Sequence, residues 1–235
     1  MEEIFHFLKR TVQAEHFDCA QASSVPFLSF YGVEKTLDQV KNEVPVFENA
    51  EGKKLGTAIG HIATYFLNQG LNATIHTSDV EIFDQTWINL SSKELIEKIQ
   101  ERQTHLKHAV YSADALSAIC DGFIQFLKEG GKLVFPAVDE KYVYELLKQG
   151  PIYTTINYQF AFQRPRFSED MQTDPISGNL LTHALLIIGY RDGKFCLLDP
   201  ESANEEERWL ESNRLIGAYY LADLHLDPIL ITIQS

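Results

Sequence analysis

Residues 182–200 read Thr182-His183-Ala184-Leu185-Leu186-Ile187-Ile188-Gly189-Tyr190-Arg191-Asp192-Gly193-Lys194-Phe195-Cys196-Leu197-Leu198-Asp199-Pro200. Two apolar runs flank Asp192-Gly193, a dipeptide that supplies the positive φ angles of a two-residue hairpin turn. The spacing predicts antiparallel strands, the first ending at Arg191 and the second beginning at Lys194. A polar residue stands at each open end, His183 where the first strand starts and Asp199 where the second stops. A strict two-residue turn sets His183 opposite Ser202, three positions from Asp199, so a bulge or the following loop is needed to bring the pair together. A His at a strand start and an Asp before a proline are also ordinary strand-end residues.

Outward from the hairpin, Ile152–Tyr158, Leu215–Leu221 and Ile229–Ile233 are further β-rich runs. Lys132–Val138 is strand-like, and Lys141–Lys148 is helical and stops at Gly150-Pro151. The earlier chain is mostly helical in pattern. Residues 1–11 carry helix-like spacing in Ile4, Phe5, Phe7 and Leu8. Asp18–Tyr31 reads as a helix with Asp18 as N-cap and Gly32 as stop, while Pro26 inside it predicts a kink or a late start. Leu55–Gly70 puts Ile59, Ile62, Ala63, Phe66 and Leu67 on one face, and Leu71–His76 suits a short strand. Ser91 and Ser92 open a charged helix over 92–107, and Gly130 and Gly131 close another over 112–129. The whole predicts an α+β fold in one domain over 1–235, helical over about 1–131 and mainly antiparallel β over about 132–235.

Composition bounds what such a domain does. The 235 residues are 45% hydrophobic and 23% charged, values of a globular chain with a real core. Asp and Glu number 33 against 20 Lys and Arg, a net charge of −13. That balance argues against binding a nucleic-acid backbone or an anionic membrane and is compatible with a cationic partner. Cys19, Cys120 and Cys196 form no Cys-x-x-Cys pair, so neither a disulfide framework nor a structural zinc site is expected. His105 and His108 lack a third ligand and read as a solvated helix face. No glycine-rich phosphate loop is present, and no cofactor is expected. No apolar stretch approaches the ~20 residues of a membrane helix and no secretory signal is visible, so the expectation is a soluble, cytoplasmic protein with reduced thiols.

Among the cysteines, Cys19 alone falls at a predicted helix start, where free N–H groups and the helix dipole favour a thiolate. Cys120 lies in an apolar helical run and Cys196 in a strand, both positions of buried packing. A thiolate needs a base and the base an orienting group, roles that His183 and Asp199 fit; an acyl-transfer site also needs oxyanion donors, and Gln13 lies six residues before Cys19.

Together these residues resemble a family. Asp18-Cys19-Ala20-Gln21-Ala22-Ser23 running to Tyr31-Gly32 is similar to the nucleophile helix of the bacteriocin-processing (double-glycine leader) peptidases, within the papain-like cysteine peptidase superfamily. Also similar are Gln13 upstream, Leu55–Gly70 with its following strand, Gly150-Pro151, Thr182-His183-Ala184 opening an apolar strand, and Asp199-Pro200. The resemblance implies a papain-like fold with nucleophile Cys19, base His183, orienting Asp199 and oxyanion donor Gln13. The expected activity is hydrolysis of a peptide or amide bond through a Cys19 thioester. With an amine as acceptor the same groups give an acyltransferase or transpeptidase, and with a side-chain amide as donor a deamidase; a catalytically silent peptide-binding module is the alternative of another class.

The chain departs from the family where a glycine usually follows the cysteine, since Ala20-Gln21 stand there. It also carries a helical insertion over 77–131 and a long loop over 159–180. Two features bear on substrate. Glu201, Glu205, Glu206 and Glu207 read either as a solvated turn or as an acidic rim for a basic peptide segment. Phe160, Phe162 and Phe167, interleaved with Arg164 and Arg166, read as groove lining or as packing of the loop.

Overall fold

The computed structural model describes residues 1–44, 46–48, 54–107, 113–168, 170–203, 205–222 and 228–234. Along the chain run β1 (Ile4–Phe5), α1 (Cys19–Phe30), α2 (Leu37–Glu43), β2 (Phe47–Glu48), β3 (Lys54–Gly56), α3 (Ile59–Asn68) and β4 (Asn72–Thr77). Next come α4 (Ser92–Gln103), α5 (Ala113–Lys128), β5 (Lys132–Val134), α6 (Glu140–Leu147), β6 (Ile152–Asn157) and α7 (Tyr158–Phe162). Then follow β7 (Thr182–Arg191), β8 (Lys194–Leu198), β9 (Glu207–Glu211), α8 (Ser212–Tyr220) and β10 (Ile229–Gln234).

One sheet runs in the order β5-β4-β10-β6-β7-β8-β9, with β1 also pairing with β7; β2 and β3 form a separate small sheet. Neighbours in the large sheet are antiparallel except for β4 and β5. The apolar run after His183 is explained by burial on both sides. Leu186 and Ile188 face Phe27 of α1, Ile62 and Phe66 of α3 and Phe123 of α5, whereas Leu185 and Ile187 face Val143 and Leu147 of α6 and Leu215 and Tyr219 of α8.

The strand β4, contributed by the first half of the chain, lies within the sheet, and α6, α7 and α8 belong to the second half. The fold is therefore mixed throughout rather than helical first and β second. Residues 1–11 do not form the expected helix: Ile4 and Phe5 pair with Tyr190 and Gly189 as β1. The pairing of β6 with β7 stops at Ile152–Ile187, which leaves the end of β7 open for that extra strand. Leu215–Leu221 is not a strand but most of α8. Its buried Ser212, Leu215, Ala218 and Tyr219 follow helical spacing, which outweighs the β preference of its aromatic residues. Glu207 starts a strand, β9, instead of ending an acidic loop. The helix expected from Leu55 starts at Ile59, since Lys54–Gly56 is extended as β3.

Within the 77–131 insertion, Ser91 caps α4 reciprocally with Glu94, and α5 packs on α3 where Gly60 meets Gly122. A Cβ on Gly60 would lie 2.7 Å from the Phe123 backbone nitrogen, so the absence of a side chain sets this helix spacing. No helix among the described residues is long and apolar enough to cross a membrane.

Candidate active site

Asp192-Gly193 turns the chain between β7 and β8, with Arg191 paired to Lys194 and Asp192 and Gly193 both at positive φ. Continued without interruption, that register would place Asp199 opposite Leu186, on the other face of the sheet from His183. A register shift between Ile187 and Gly189 prevents this. Beyond it Ile187 pairs with Leu197 and Leu186 with Leu198, so Asp199 follows opposite Leu185, on the face that His183 shares. The result is a hydrogen bond of 2.8 Å between His183 Nε2 and Asp199 Oδ1, both residues buried. The same carboxylate oxygen accepts the Glu201 backbone N–H at 2.9 Å.

The Tyr158 ring lies edge-on to the imidazole, with centroids 5.4 Å apart. Burial alone would pull the His183 pKa down, but the hydrogen bond and charge of Asp199, and the Cys19 thiol within hydrogen-bonding reach, hold it well above its ordinary value. With Nε2 committed to Asp199, Nδ1 is the nitrogen left for the thiol. This arrangement favours an imidazolium beside sulfur.

Cys19 is the first residue of α1 and is part-exposed. Two contacts fix that end of the helix. Tyr153 Oη of β6 donates to the Ala20 carbonyl at 3.1 Å, and Ser23 Oγ, one turn on, donates to the Ala184 carbonyl beside His183 at 3.1 Å. Pro26 neither delays the start nor interrupts α1, which runs unbroken from Cys19 to Phe30. Asp18 precedes the helix as expected, but its side chain does not cap it; the buried carboxylate pairs with Lys41 Nζ at 2.7 Å. First-turn N–H groups of a helix have no intrahelical acceptor, so they remain open to an oxygen arriving next to Cys19. Gln21 is buried and donates to the Val44 carbonyl (2.8 Å) and Thr57 Oγ1 (2.9 Å). Val44 and Thr57 also line a cavity of about 350 Å³ with Phe47, His61, Tyr65 and Gln125.

Gln13 is drawn to the end of β8 by its N–H, which donates to the Pro200 carbonyl at 2.9 Å. Its side-chain nitrogen donates to Glu201 Oε2 at 3.0 Å. Cys120 and Cys196 are buried, and burial pushes both thiols up to about 12. Among the described residues no group of three or more His, Cys, Asp or Glu side chains is placed to hold a metal; His108 lies outside them.

The aromatic loop borders the site through Tyr158, which Phe162 and Phe167 approach at ring-centroid distances of 5.2 and 6.2 Å. Phe162 lies buried under the Arg208 guanidinium, and the half-exposed Phe160 lies under that of Arg214. Arg164 and Arg166 are exposed. Of the acidic residues, Glu205, Glu206 and Glu207 are exposed while Glu201 turns inward to Gln13. Sequence reasoning missed the place of Tyr158 beside His183, and it read Glu201 only as part of an acidic turn or rim, not as the partner of Gln13. The only signal for Tyr158 was its place at the end of an apolar strand, and Glu201 was one glutamate among several.

The sequence matches no protein-family model and no curated protein. Among solved structures it is similar to the crystal structure of a Bacillus anthracis protein described as a candidate C39-like peptidase, at 12% identity and a TM-score of 0.47, over 100% of this chain and 98% of that one. The geometry of Cys19, His183 and Asp199 stands independently of that likeness.

Proposed function

We propose that the chain is a cysteine peptidase-like hydrolase that cleaves a peptide or amide bond through a thioester on Cys19. The observation that carries this reading is the buried His183–Asp199 hydrogen bond with the Cys19 thiol, at the first residue of α1, in reach of the imidazole. In the proposed reaction the thiolate attacks the carbonyl carbon and forms the C–S bond, and the carbonyl oxygen becomes an oxyanion. The Gln13 carboxamide and the Cys19 backbone N–H donate to it. The His183 imidazolium gives its proton to the departing nitrogen as the C–N bond breaks. Water then attacks the thioester, His183 takes its proton, and the acid product leaves with the thiolate restored. Asp199 holds the imidazole in the orientation and tautomer that both steps require.

This reading treats 1–235 as one papain-like domain working in the cytoplasm, where the nucleophile stays a free thiol. The exposed Glu205, Glu206 and Glu207 favour a substrate with a basic segment near the scissile bond. The test is incubation with a complex peptide mixture and identification of new termini by mass spectrometry. The parent protein is expected to generate a defined set, and Cys19→Ala to lower their rate of appearance by at least about a thousandfold. The same termini at the same rate from Cys19→Ala would refute the proposal.

A further inference from the structure

We propose that Glu201 is a positioning residue that aims the oxyanion donor Gln13 and, through its backbone, ties that donor to the His183–Asp199 pair. The inference rests on the thioester reading above. Three consecutive residues after β8 do the tying: Asp199 accepts from His183, Pro200 accepts the Gln13 N–H, and Glu201 accepts from the Gln13 side chain. Glu201 is itself anchored at both ends. Its N–H donates to Asp199 Oδ1 at 2.9 Å, and its Oε1 accepts from Ser202 Oγ (3.3 Å) and the Ala203 N–H (3.2 Å), leaving Oε2 for Gln13 at 3.0 Å.

The chemistry of the contact fixes a direction. A carboxylate only accepts, so it selects the nitrogen end of the carboxamide, the end able to stabilise an oxyanion. Turning the amide over would set Gln13 Oε1 against Glu201 Oε2, two acceptors in contact. As placed, Oε1 is buried with no hydrogen-bond partner among the described residues, a cost tolerated only if something else holds the amide this way round. Fixing a glutamine removes up to about 2 kcal/mol of side-chain freedom, and a donor fixed before substrate arrives does not lose it at the transition state.

Two reactions of Cys19 separate positioning of the oxyanion donor from activation of the thiol. Acylation by p-nitrophenyl acetate forms a C–S bond at a carbonyl carbon, passes through an oxyanion and expels p-nitrophenolate. Alkylation by iodoacetamide displaces iodide at a saturated carbon and forms no oxyanion. Truncation of Glu201 to Ala removes the carboxylate but keeps the backbone bond to Asp199. We therefore expect Glu201→Ala to slow the p-nitrophenolate burst at least about tenfold while iodoacetamide alkylation stays within about twofold of the parent.

Glu201→Gln keeps an acceptor oxygen and is expected to retain at least about half of the parent burst rate. In a Gln13→Ala background, Glu201→Ala is expected to add nothing, because the group it orients is gone. The proposal is overturned if Glu201→Ala leaves the burst unchanged, slows both reactions alike, or adds its full effect to that of Gln13→Ala. It is also overturned if Glu201→Gln falls as far as Glu201→Ala. Failure of the thioester reading itself is a different result: a Cys19→Ala protein that gives the parent burst.

Discussion

At the scale of single residues, the chemistry turns on a buried histidine that binds its proton more tightly than a free imidazole does. A group whose pKa rises on folding stabilises the fold most where the unfolded chain is protonated too, below about pH 6.5, and that contribution is lost as pH climbs through the raised folded value. His183→Gln is therefore expected to cost more stability near pH 6 than near pH 10, with a loss of about 1–3 kcal/mol at the lower value because the buried Asp199 carboxylate loses its charged hydrogen-bond partner. Urea midpoints of both proteins at the two pH values check this, and a gap that widens with pH would contradict it. Cys19 was legible in the sequence because its place at a helix start distinguishes it from Cys120 and Cys196. Glu201 was not, because its partner Gln13 lies 188 residues away in the chain and nothing local marks the contact.

At the scale of elements, small irregularities place the site. The Asp192-Gly193 turn was readable, but turn chemistry alone puts Asp199 on the wrong face of the sheet. The bulge between Ile187 and Gly189 corrects the face, and no residue type in that apolar run announces it. Gly189 leaves space there for the incoming N-terminal strand, since a Cβ would lie 2.8 Å from the Phe5 ring. That packing also explains why the helix-like spacing of Ile4, Phe5, Phe7 and Leu8 misleads: an open strand edge captures the segment, and tertiary pairing overrides local pattern. In α8, Leu215 to Leu221 misleads in the opposite sense.

The contact of α3 with α5 gives a sharper test of element packing. Gly60→Ala drives a Cβ into the backbone of Gly122 and Phe123, whereas Gly122→Ala meets Gly60 Cα at 3.3 Å. Overpacking of this kind costs about 1–3 kcal/mol, and denaturant midpoints are expected to fall further for Gly60→Ala than for Gly122→Ala. Equal midpoints for the two variants would show that the helices separate freely.

At the scale of the molecule, a sheet covered on both faces brings together residues 13, 19, 183 and 199 from remote parts of the chain. Their order and chemical types were visible in the sequence; their convergence depends on β4 entering the sheet from the first half and on α1 docking across β6 and β7. The central claim is that Cys19 belongs to an activated thiol–imidazole pair. Its most direct test is the intact mass of the protein after brief treatment with limiting iodoacetamide across a range of pH, with the adduct mapped by peptide. Since burial holds Cys120 and Cys196 up to about 12, a single adduct is expected, on Cys19. At neutral pH it is expected to form at least about tenfold more slowly in His183→Ala, because the imidazolium beside the sulfur is gone. Labelling of Cys19 at the same rate with and without His183 would contradict the account.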